Sequence, residues 1–206
     1  MAQQLLIATH NKGKVAEYRS LLFDLPLAVT WLDEVGITED VEETEDSFHG
    51  NAILKARHYA GLTGLWTWAD DSGLEIDALG GRPGVYSARY GGEGLTDADR
   101  YRIVLDEMSA VPDAERTARF RCVVAIAQPR GKVDTRDGTL EGTIAREPKG
   151  SNGFGYDPIF YIPSFDASLA ELDRGVKNEI SHRAEAAARA REMLAMMLSE
   201  AEGNEE

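Results

Sequence analysis

The chain has 206 residues, of which 43% are hydrophobic, which is typical of one globular domain with a sizeable core. Its net charge of −14 excludes a protein that holds a nucleic-acid polymer by neutralising phosphates. The sequence contains neither an apolar run near the roughly 20 residues of a membrane span nor a signal-peptide pattern, and its single cysteine, Cys122, cannot form an internal disulfide. We therefore expect a cytoplasmic protein without a membrane or nucleic-acid partner.

The order of the predicted elements favours a mixed sheet. In chain order they are a strand at residues 3–9, a helix at 12–23, a strand at 27–32, a helix at 47–61, strands at 65–69 and 74–79, a helix from 96 or 97 to 108, a strand at 118–128, short strands through 145 and an alanine-rich helix at 181–201. Helices and strands alternate early, and strands follow one another in the middle. This pattern predicts an α/β fold, a mixed β-sheet flanked by helices. The acidic segment 201–206 is predicted to be a disordered tail.

The segment THNKGK follows the first strand and opens the first helix, where α/β proteins bind ligands. Free N–H groups at a helix start attract anions, and the side chains of Thr9, Asn11, Lys12 and Lys14 add donors. The alternative is an ordinary capped helix with lysines in solvent, because the phosphate-binding motif G-x-x-x-x-G-K-[ST] is absent from the chain.

Two later segments could recognise a base. In GSNGFGYDP (150–158) the glycines allow close backbone approach, and Phe154 and Tyr156 either stack on a base or belong to the core. In KNEISHR (177–183), interpreted as the start of the last helix, Ser181 is a good N-cap. His182 and Arg183 in the first turn oppose the helix dipole, which indicates an acceptor-rich ligand unless they are simple surface cations.

The segment WADDSG places Asp70 and Asp71 at the end of a predicted buried strand, where carboxylates need a metal ion, a basic side chain or water. Eight acids and neither Lys nor Arg lie between residues 31 and 54, which is either a solvated loop or part of a site. One or two carboxylates with substrate phosphates typically hold Mg²⁺, so Asp71 with Glu42 or Glu43 is a candidate metal site. For Asp70 we favour a local turn or cap role.

Seven motifs in order carry a family resemblance. They are T-x-N-x-x-K at 9–14, E-T-x-x-S-F-x-x-N-A-x-x-K-A at 43–56, A-D-D-S-G-L at 69–74, G-x-P-G-V-Y-S-A-R-Y at 81–90, F-x-C at 120–122, E-P-x-G-x-x-G-F-G-Y-D-P-I-F at 147–160 and K-N-x-I-S-H-R-A at 177–184. Together they resemble the inosine/xanthosine triphosphate pyrophosphatases, the ITPase-like enzymes that act on noncanonical purine nucleoside triphosphates. The motifs extend over nearly the whole chain except the acidic tail.

The resemblance implies a fold, a reaction and an assembly. The fold is a single ITPase-like domain over residues 1–200, with an elongated mixed sheet and two lobes around a central active-site cleft. The reaction hydrolyses ITP, dITP or XTP to the nucleoside monophosphate and pyrophosphate, which cleanses the nucleotide pool. The expected cofactor is Mg²⁺, with Mn²⁺ as a possible substitute, and the expected assembly is a homodimer.

The resemblance also assigns roles to residues. Asp71 is the catalytic base and a metal ligand, joined at the metal by Glu43 or Glu42. The substrate-binding residues are Thr9, His10, Asn11, Lys12, Gly13, Lys14, Lys55, Ser72, Phe154, Gly155, Tyr156, Asp157, Lys177, His182 and Arg183. His10 stands where many members have Gly, which raises the question of a positive φ there. Phe154 stacks on the purine, and Lys177, His182 and Arg183 read the base.

Arg183 offers a physical basis for base choice, because its side chain has only donors. Hypoxanthine and xanthine present a carbonyl at C6, whereas adenine presents an amine. An unpaired buried polar group can discriminate by roughly 10⁴-fold. Two other functions remain open: a pyrophosphatase for pyrimidine or modified nucleotides, and a non-catalytic nucleotide-binding regulator.

Overall fold

The structure is a computed structural model that describes residues 3–129 and 131–203. Its strands are β1 (Gln3–Ile7), β2 (Leu27–Trp31), β3 (Trp66–Ile76), β4 (Thr117–Ala127), β5 (Val133–Ile144), β6 (Phe160–Ile162) and β7 (Ala167–Ser168). They form one seven-stranded sheet in the order β2-β1-β3-β4-β5-β6-β7. Strand β1 runs parallel to β2 and β3, whereas β6 runs antiparallel to β5 and β7. The predicted mixed sheet is therefore confirmed.

Five α-helices accompany the sheet in the described part of the chain. They are α1 (Lys12–Leu22), α2 (Phe48–Thr63), α3 (Asp97–Glu107), α4 (Arg174–Ile180) and α5 (His182–Gly203). Four of them begin at side-chain caps, because Asn11, Ser47, Thr96 and Ser181 each accept a hydrogen bond from a backbone N–H of the first turn. None of the helices within residues 3–129 and 131–203 is both long and apolar enough to cross a membrane.

Several predicted elements have different bounds in the structure; the short strands predicted through 145, for example, are the single strand β5. The strands predicted at 65–69 and 74–79 are one strand, β3, which continues through the Ser72–Gly73 pair predicted as a turn. The last helix, predicted from about 181, begins at His182, and a short helix that was not predicted, α4, precedes it; the extended backbone of Ser181 (φ −70°, ψ 151°) separates the two. Helix α5 runs to Gly203, into the segment predicted as a tail, and residues 204–206 lie outside the described residues.

The chain divides into two compact units. The first comprises the residues through Asp71, residues 122–138 and those from Glu185 onward. Its core packs α1 and α5 with strand side chains, and includes Leu5, Ile7, Tyr18, Trp68, Val124, Ile126, Ala190 and Leu194. The second unit comprises residues 72–121 and 139–184. Its core includes Leu74, Ile76, Val104, Met108, Phe120, Ile159 and Phe160.

Candidate active site

The two adjacent carboxylates of β3 each have a lysine partner within the first unit. Asp70 accepts a hydrogen bond from Lys14 Nζ of α1 at 2.7 Å, and Asp71 accepts one from Lys55 Nζ of α2 at 3.2 Å. Successive residues of a strand point to opposite faces, which is why the two neighbours meet different helices. The role expected for Asp70, a local turn or cap, is therefore wrong: it is a buried strand residue in an ion pair.

Lys55 joins two carboxylates. Its Nζ donates to Glu43 Oε1 at 2.7 Å as well as to Asp71 Oδ1, and its side chain is only 14% exposed. Burial alone would lower the pKa of Lys55, but the negative charges of Asp71, Asp70 and Glu43 outweigh it and raise that pKa. Lys55 is therefore a fixed positive charge in the middle of the acidic cluster.

Burial opposes the ionisation of Asp71. Desolvation raises its pKa, the Lys55 ammonium counteracts this effect, and the Glu43 charge adds to it. A carboxylate with a raised pKa is a stronger base than one in water, and this is the property that a group removing a proton from water needs.

The same cluster fits a magnesium ion. Asp71 Oδ2 is buried and accepts no hydrogen bond from the residues that the structure describes, so an oxygen ligand is available beside the Glu43 carboxylate. Carboxylate oxygens suit Mg²⁺, which typically takes one or two from the protein and completes its shell with phosphate oxygens and water. No group of three or more His, Cys, Asp or Glu side chains is gathered as a metal cage within the described residues, so two carboxylates are what this site offers. Glu42 is exposed, whereas Glu43 shares Lys55 with Asp71.

The THNKGK segment forms a capped helix start. Asn11 Oδ1 accepts hydrogen bonds from the backbone N–H groups of Gly13 (2.9 Å) and Lys14 (3.2 Å), so the side chain already occupies two of the donors expected to face an anion. Thr9 Oγ1 accepts from the Asn11 N–H at 3.2 Å. Lys12 is exposed, and Lys14 keeps donors beyond the one that Asp70 uses, because an ammonium has three.

His10 points to the acidic segment rather than adopting a glycine-like backbone. Its Nδ1 lies 2.5 Å from Asp33 Oδ1, and its Nε2 lies 3.7 Å from Asp40 Oδ1. Asp166 is the non-glycine residue with positive φ in the described part of the chain, so His10 does not need the conformation that glycine would favour.

The glycine-rich loop of the second unit separates its two aromatic residues. Phe154 is 55% exposed, whereas Tyr156 is buried and its hydroxyl donates to the Ser87 carbonyl at 2.8 Å. Phe154 can therefore offer a ring face to a base, and Tyr156 takes the core role that the sequence left open. Gly155 N–H donates to Asp97 Oδ2 at 2.8 Å, which anchors the loop next to Phe154.

Two cations lie over the Phe154 ring. Lys177 Nζ is 4.7 Å and Arg183 Cζ is 5.5 Å from the ring centroid. Lys177 also forms a buried ion pair with Asp157, whose Oδ2 accepts from the Phe154 N–H at 2.9 Å. Burial raises the pKa of Asp157, and the Lys177 charge opposes that rise.

The SHR segment is buried at the start of α5. Ser181 Oγ accepts from the Ala184 N–H at 3.1 Å, which confirms Ser181 as the N-cap. His182 stacks on Phe120, with ring centroids 4.8 Å apart and planes at 12°. Both His182 and Arg183 are buried, so they are not simple surface cations. Ser72, the remaining candidate, is half-buried on β3.

The structure therefore gathers the candidates into two sets, one in each unit. Asp71, Glu43, Lys55, Asp70 and Lys14 form the set of the first unit, and Phe154, Asp157, Lys177 and Arg183 form the set of the second. Sequence reasoning missed the Lys14–Asp70 and Asp157–Lys177 pairs. The partners in these two pairs are 56 and 20 residues apart in the sequence, so no local spacing pattern could reveal them.

Comparisons with known proteins agree on one family. A sequence model of the Ham1 family matches residues 5–193. The dITP/XTP pyrophosphatase of Desulforamulus reducens is 49% identical over 191 residues, which is 93% of this chain and 95% of that protein. The dITP/XTP pyrophosphatase of Bacillus subtilis is 49% identical over 89% of this chain and 93% of its own. A solved structure of a HAM1 protein from Coxiella burnetii superposes with a TM-score of 0.89 at 45% identity and covers 94% of this chain and 99% of its own.

Proposed function

Because this chain belongs to the Ham1 family, we propose that it hydrolyses noncanonical purine nucleoside triphosphates, ITP, dITP and XTP, to the monophosphate and pyrophosphate. The observation that carries the proposal is the cluster in which Lys55 joins Asp71 to Glu43, within a chain that is 49% identical to two dITP/XTP pyrophosphatases. Water adds to the α-phosphorus, and the bond from the α-phosphorus to the bridging oxygen breaks. Pyrophosphate leaves with that oxygen.

In this proposal Asp71 orients the attacking water and takes its proton. Its buried carboxylate has a raised pKa, which favours proton acceptance. Lys14 and Lys55 each retain an N–H beyond those bound by the carboxylates, and those donors neutralise charge on the triphosphate. Glu43 and Asp71 would hold Mg²⁺, which when bound neutralises charge on the pyrophosphate leaving group.

Base recognition is assigned to the second unit. Phe154 offers an exposed ring for stacking, and Arg183 beside it supplies donors for the C6 carbonyl of hypoxanthine or xanthine. Adenine would bring its amine against those donors, leaving them unpaired, and a mismatch of this kind can disfavour a substrate by roughly 10⁴-fold.

The test is release of pyrophosphate from ITP, XTP, dITP, GTP, ATP and dTTP, each with Mg²⁺ and with EDTA. We expect Mg²⁺-dependent release that is largely confined to ITP, dITP and XTP. Release mainly from dTTP would contradict the base assignment and favour the pyrimidine alternative. Binding of the triphosphates without release from any of them would favour the non-catalytic regulator.

We also propose that the protein is a homodimer, as the family resemblance implies. Sedimentation equilibrium should then give twice the 22.6 kDa chain mass at micromolar concentration. A single-chain mass that persists across the concentration series would contradict this assembly.

A further inference from the structure

One face of α2 carries three polar side chains that all bind the acidic segment before the helix. They are Asn51, Lys55 and Tyr59, spaced four residues apart, and residues four apart on a helix lie one above the other. The segment they contact, residues 39–45, contains Glu43. The ammonium group of Lys55 pairs with both Glu43 and Asp71. We call these three side chains the α2 ladder.

The contacts of the α2 ladder follow the segment in reverse order. Tyr59 Oη donates to the Glu39 carbonyl at 3.1 Å and accepts from the Val41 N–H at 3.2 Å. Lys55 Nζ donates to the Glu43 carboxylate at 2.7 Å. Asn51 Oδ1 accepts from the Glu45 N–H at 3.0 Å. The segment therefore runs antiparallel to the helix and is bound at 41, 43 and 45.

The spacing of the α2 ladder along the helix matches the spacing of alternate residues along the segment 39–45. Four residues of an α-helix rise about 6 Å, at 1.5 Å each. Two residues of an extended chain advance roughly 6.6 Å. A side chain at every fourth helix position can therefore meet every second residue of the segment, which is the pattern observed.

The outer members of the α2 ladder are buried and have defined orientations. Asn51 is fully buried, and Tyr59 is 2% exposed. Because a backbone N–H can only donate, the oxygen of the Asn51 amide must face Glu45.

The segment carries a high density of negative charge, since six of the eight residues from 39 to 46 are acidic. Without the contacts to the α2 ladder, mutual repulsion of these carboxylates would drive the segment away from a compact arrangement.

We infer that Asn51 and Tyr59 are positioning residues that hold the Glu43 carboxylate beside Asp71 by fixing the backbone on either side of it. The inference rests on the proposed function, because it gives Glu43 its role at the metal. In the proposed mechanism neither side chain contacts the substrate or the metal ion. Their effect on metal binding comes through the backbone N–H groups of Val41 and Glu45.

Two variants test the inference: Tyr59→Phe, which deletes one hydroxyl, and Asn51→Leu, which replaces the amide with an apolar group of similar size. Amide hydrogen exchange of the metal-free protein should show faster exchange at Val41 in Tyr59→Phe and at Glu45 in Asn51→Leu. Titration with MgCl₂ alone, followed by calorimetry, should show a dissociation constant raised by roughly 10-fold or more, as for other residues that orient metal ligands.

Ser47→Ala is the matched control. Ser47 caps the same helix by accepting from the Gly50 N–H at 3.1 Å, and this hydrogen bond involves neither the α2 ladder nor the backbone of residues 39–45. This variant should speed exchange at Gly50 while leaving the Mg²⁺ affinity unchanged. Unchanged exchange at Val41 and Glu45, or unchanged Mg²⁺ affinity, in both test variants would overturn the inference.

The two readouts also separate this inference from the proposed function. A wild-type protein that binds no Mg²⁺ would contradict the proposed metal, and with it the role of Glu43 that the α2 ladder serves. Wild-type Mg²⁺ binding that Tyr59→Phe and Asn51→Leu leave intact would contradict the ladder alone. Tyr59→Phe keeps the test decisive if Asn51→Leu does not fold, because it removes only the hydroxyl.

Discussion

At the scale of single residues, burial raises the pKa of Asp71, the residue proposed as the general base. Its ionised form is disfavoured by desolvation and retained by Lys55, so its charge depends on its surroundings. Asp71→Asn keeps the side-chain volume and removes the base. We expect turnover of ITP to fall by roughly 10²–10⁴-fold, the usual contribution of a general base, while the fold is retained.

Circular dichroism and a urea midpoint establish that the Asp71→Asn variant is folded, and a pyrophosphate assay measures its turnover. A folded variant with wild-type turnover would remove Asp71 from the catalytic role and leave the cluster to bind substrate only.

A matched pair of variants distinguishes Glu43 from Glu42 as the second carboxylate of the proposed metal site. Glu43 shares Lys55 with Asp71, whereas its neighbour Glu42 is exposed. We expect Glu43→Gln to raise the Mg²⁺ concentration needed for half-maximal activity by roughly 10-fold or more, by loss of one hard ligand. Glu42→Gln carries the same charge change and should leave that concentration unchanged. The reverse result would place Glu42 at the metal.

Asp157 gives a pH prediction in the second unit. Its pKa is raised by burial, so between the unfolded value near 3.8 and the folded value the folded state retains a proton that the unfolded state has lost. The stability contribution of this group is therefore present below pH 3.8 and lost as the pH rises through the folded pKa.

Lys177→Met removes the charge that opposes the raised Asp157 pKa. We expect the ¹³C carboxyl titration of Asp157 to move to a higher pH than in the wild type. The variant should also lose more stability at pH 7 than at pH 4, which urea denaturation at the two pH values measures. A titration that is unchanged or moves to lower pH would show that Lys177 does not set the charge of Asp157.

The residues of the site were more predictable than their partners. Motifs placed Asp71, Lys55 and Arg183 in a candidate site, because their spacing within each motif is a local property. The Lys14–Asp70 pair joins residues 56 apart, and only the arrangement of strands and helices brings them together. The turn or cap role expected for Asp70 followed from the local sequence and is wrong, since the strand continues through this residue.

At the scale of elements, the glycine-rich loop depends on close backbone contact. Gly150 has φ +79°, and a Cβ there would lie 2.3 Å from the Ala170 backbone, a distance that atoms do not adopt. Gly155 also has positive φ (+60°), but a Cβ there would meet no heavy atom within 4 Å. The two positions therefore separate steric overlap from backbone strain.

We expect Gly155→Ala to destabilise the protein by about 1–2 kcal/mol, the price of a left-handed conformation for a residue with a Cβ. Gly150→Ala should cost clearly more, because the backbone of residue 170 must move as well. Urea denaturation of both variants measures the difference. Equal losses would mean that the contact with residue 170 relaxes freely.

Most elements followed from the sequence. The exceptions are β3, where a turn signal competed with the sheet, β5, which is one strand where short strands were predicted, and α4. Ser-Gly at 72–73 predicts a turn, yet β3 passes through it, because tertiary context overrides a weak local preference. The short helix α4 was not predicted, whereas the start of α5 was, because Ser181 is a recognisable N-cap. The extended backbone of Ser181 ends α4.

At the scale of the whole molecule, the net charge favours an enzyme that acts on free nucleotides over one that binds a nucleic-acid polymer. Thirty-six acidic and 22 basic residues leave a net charge of −14. Proteins bind nucleic-acid polymers largely by releasing counterions from many phosphates. A surface with this excess of carboxylates cannot supply that contribution to the binding free energy. A single triphosphate needs only the local cations that the proposed function assigns to it, which are Lys14, Lys55 and a metal ion.

We therefore expect turnover of free dITP without binding to DNA that contains deoxyinosine. Fluorescence anisotropy of a labelled 30-nucleotide strand, single or paired, should show no saturable binding at 50 mM salt, even though a typical nonspecific binder has a dissociation constant of about 10⁻⁴–10⁻⁶ M at physiological salt. The same preparation must release pyrophosphate from dITP, which proves that it is active. Saturable binding that weakens with added salt would show that a basic surface exists despite the net charge, and would contradict this prediction.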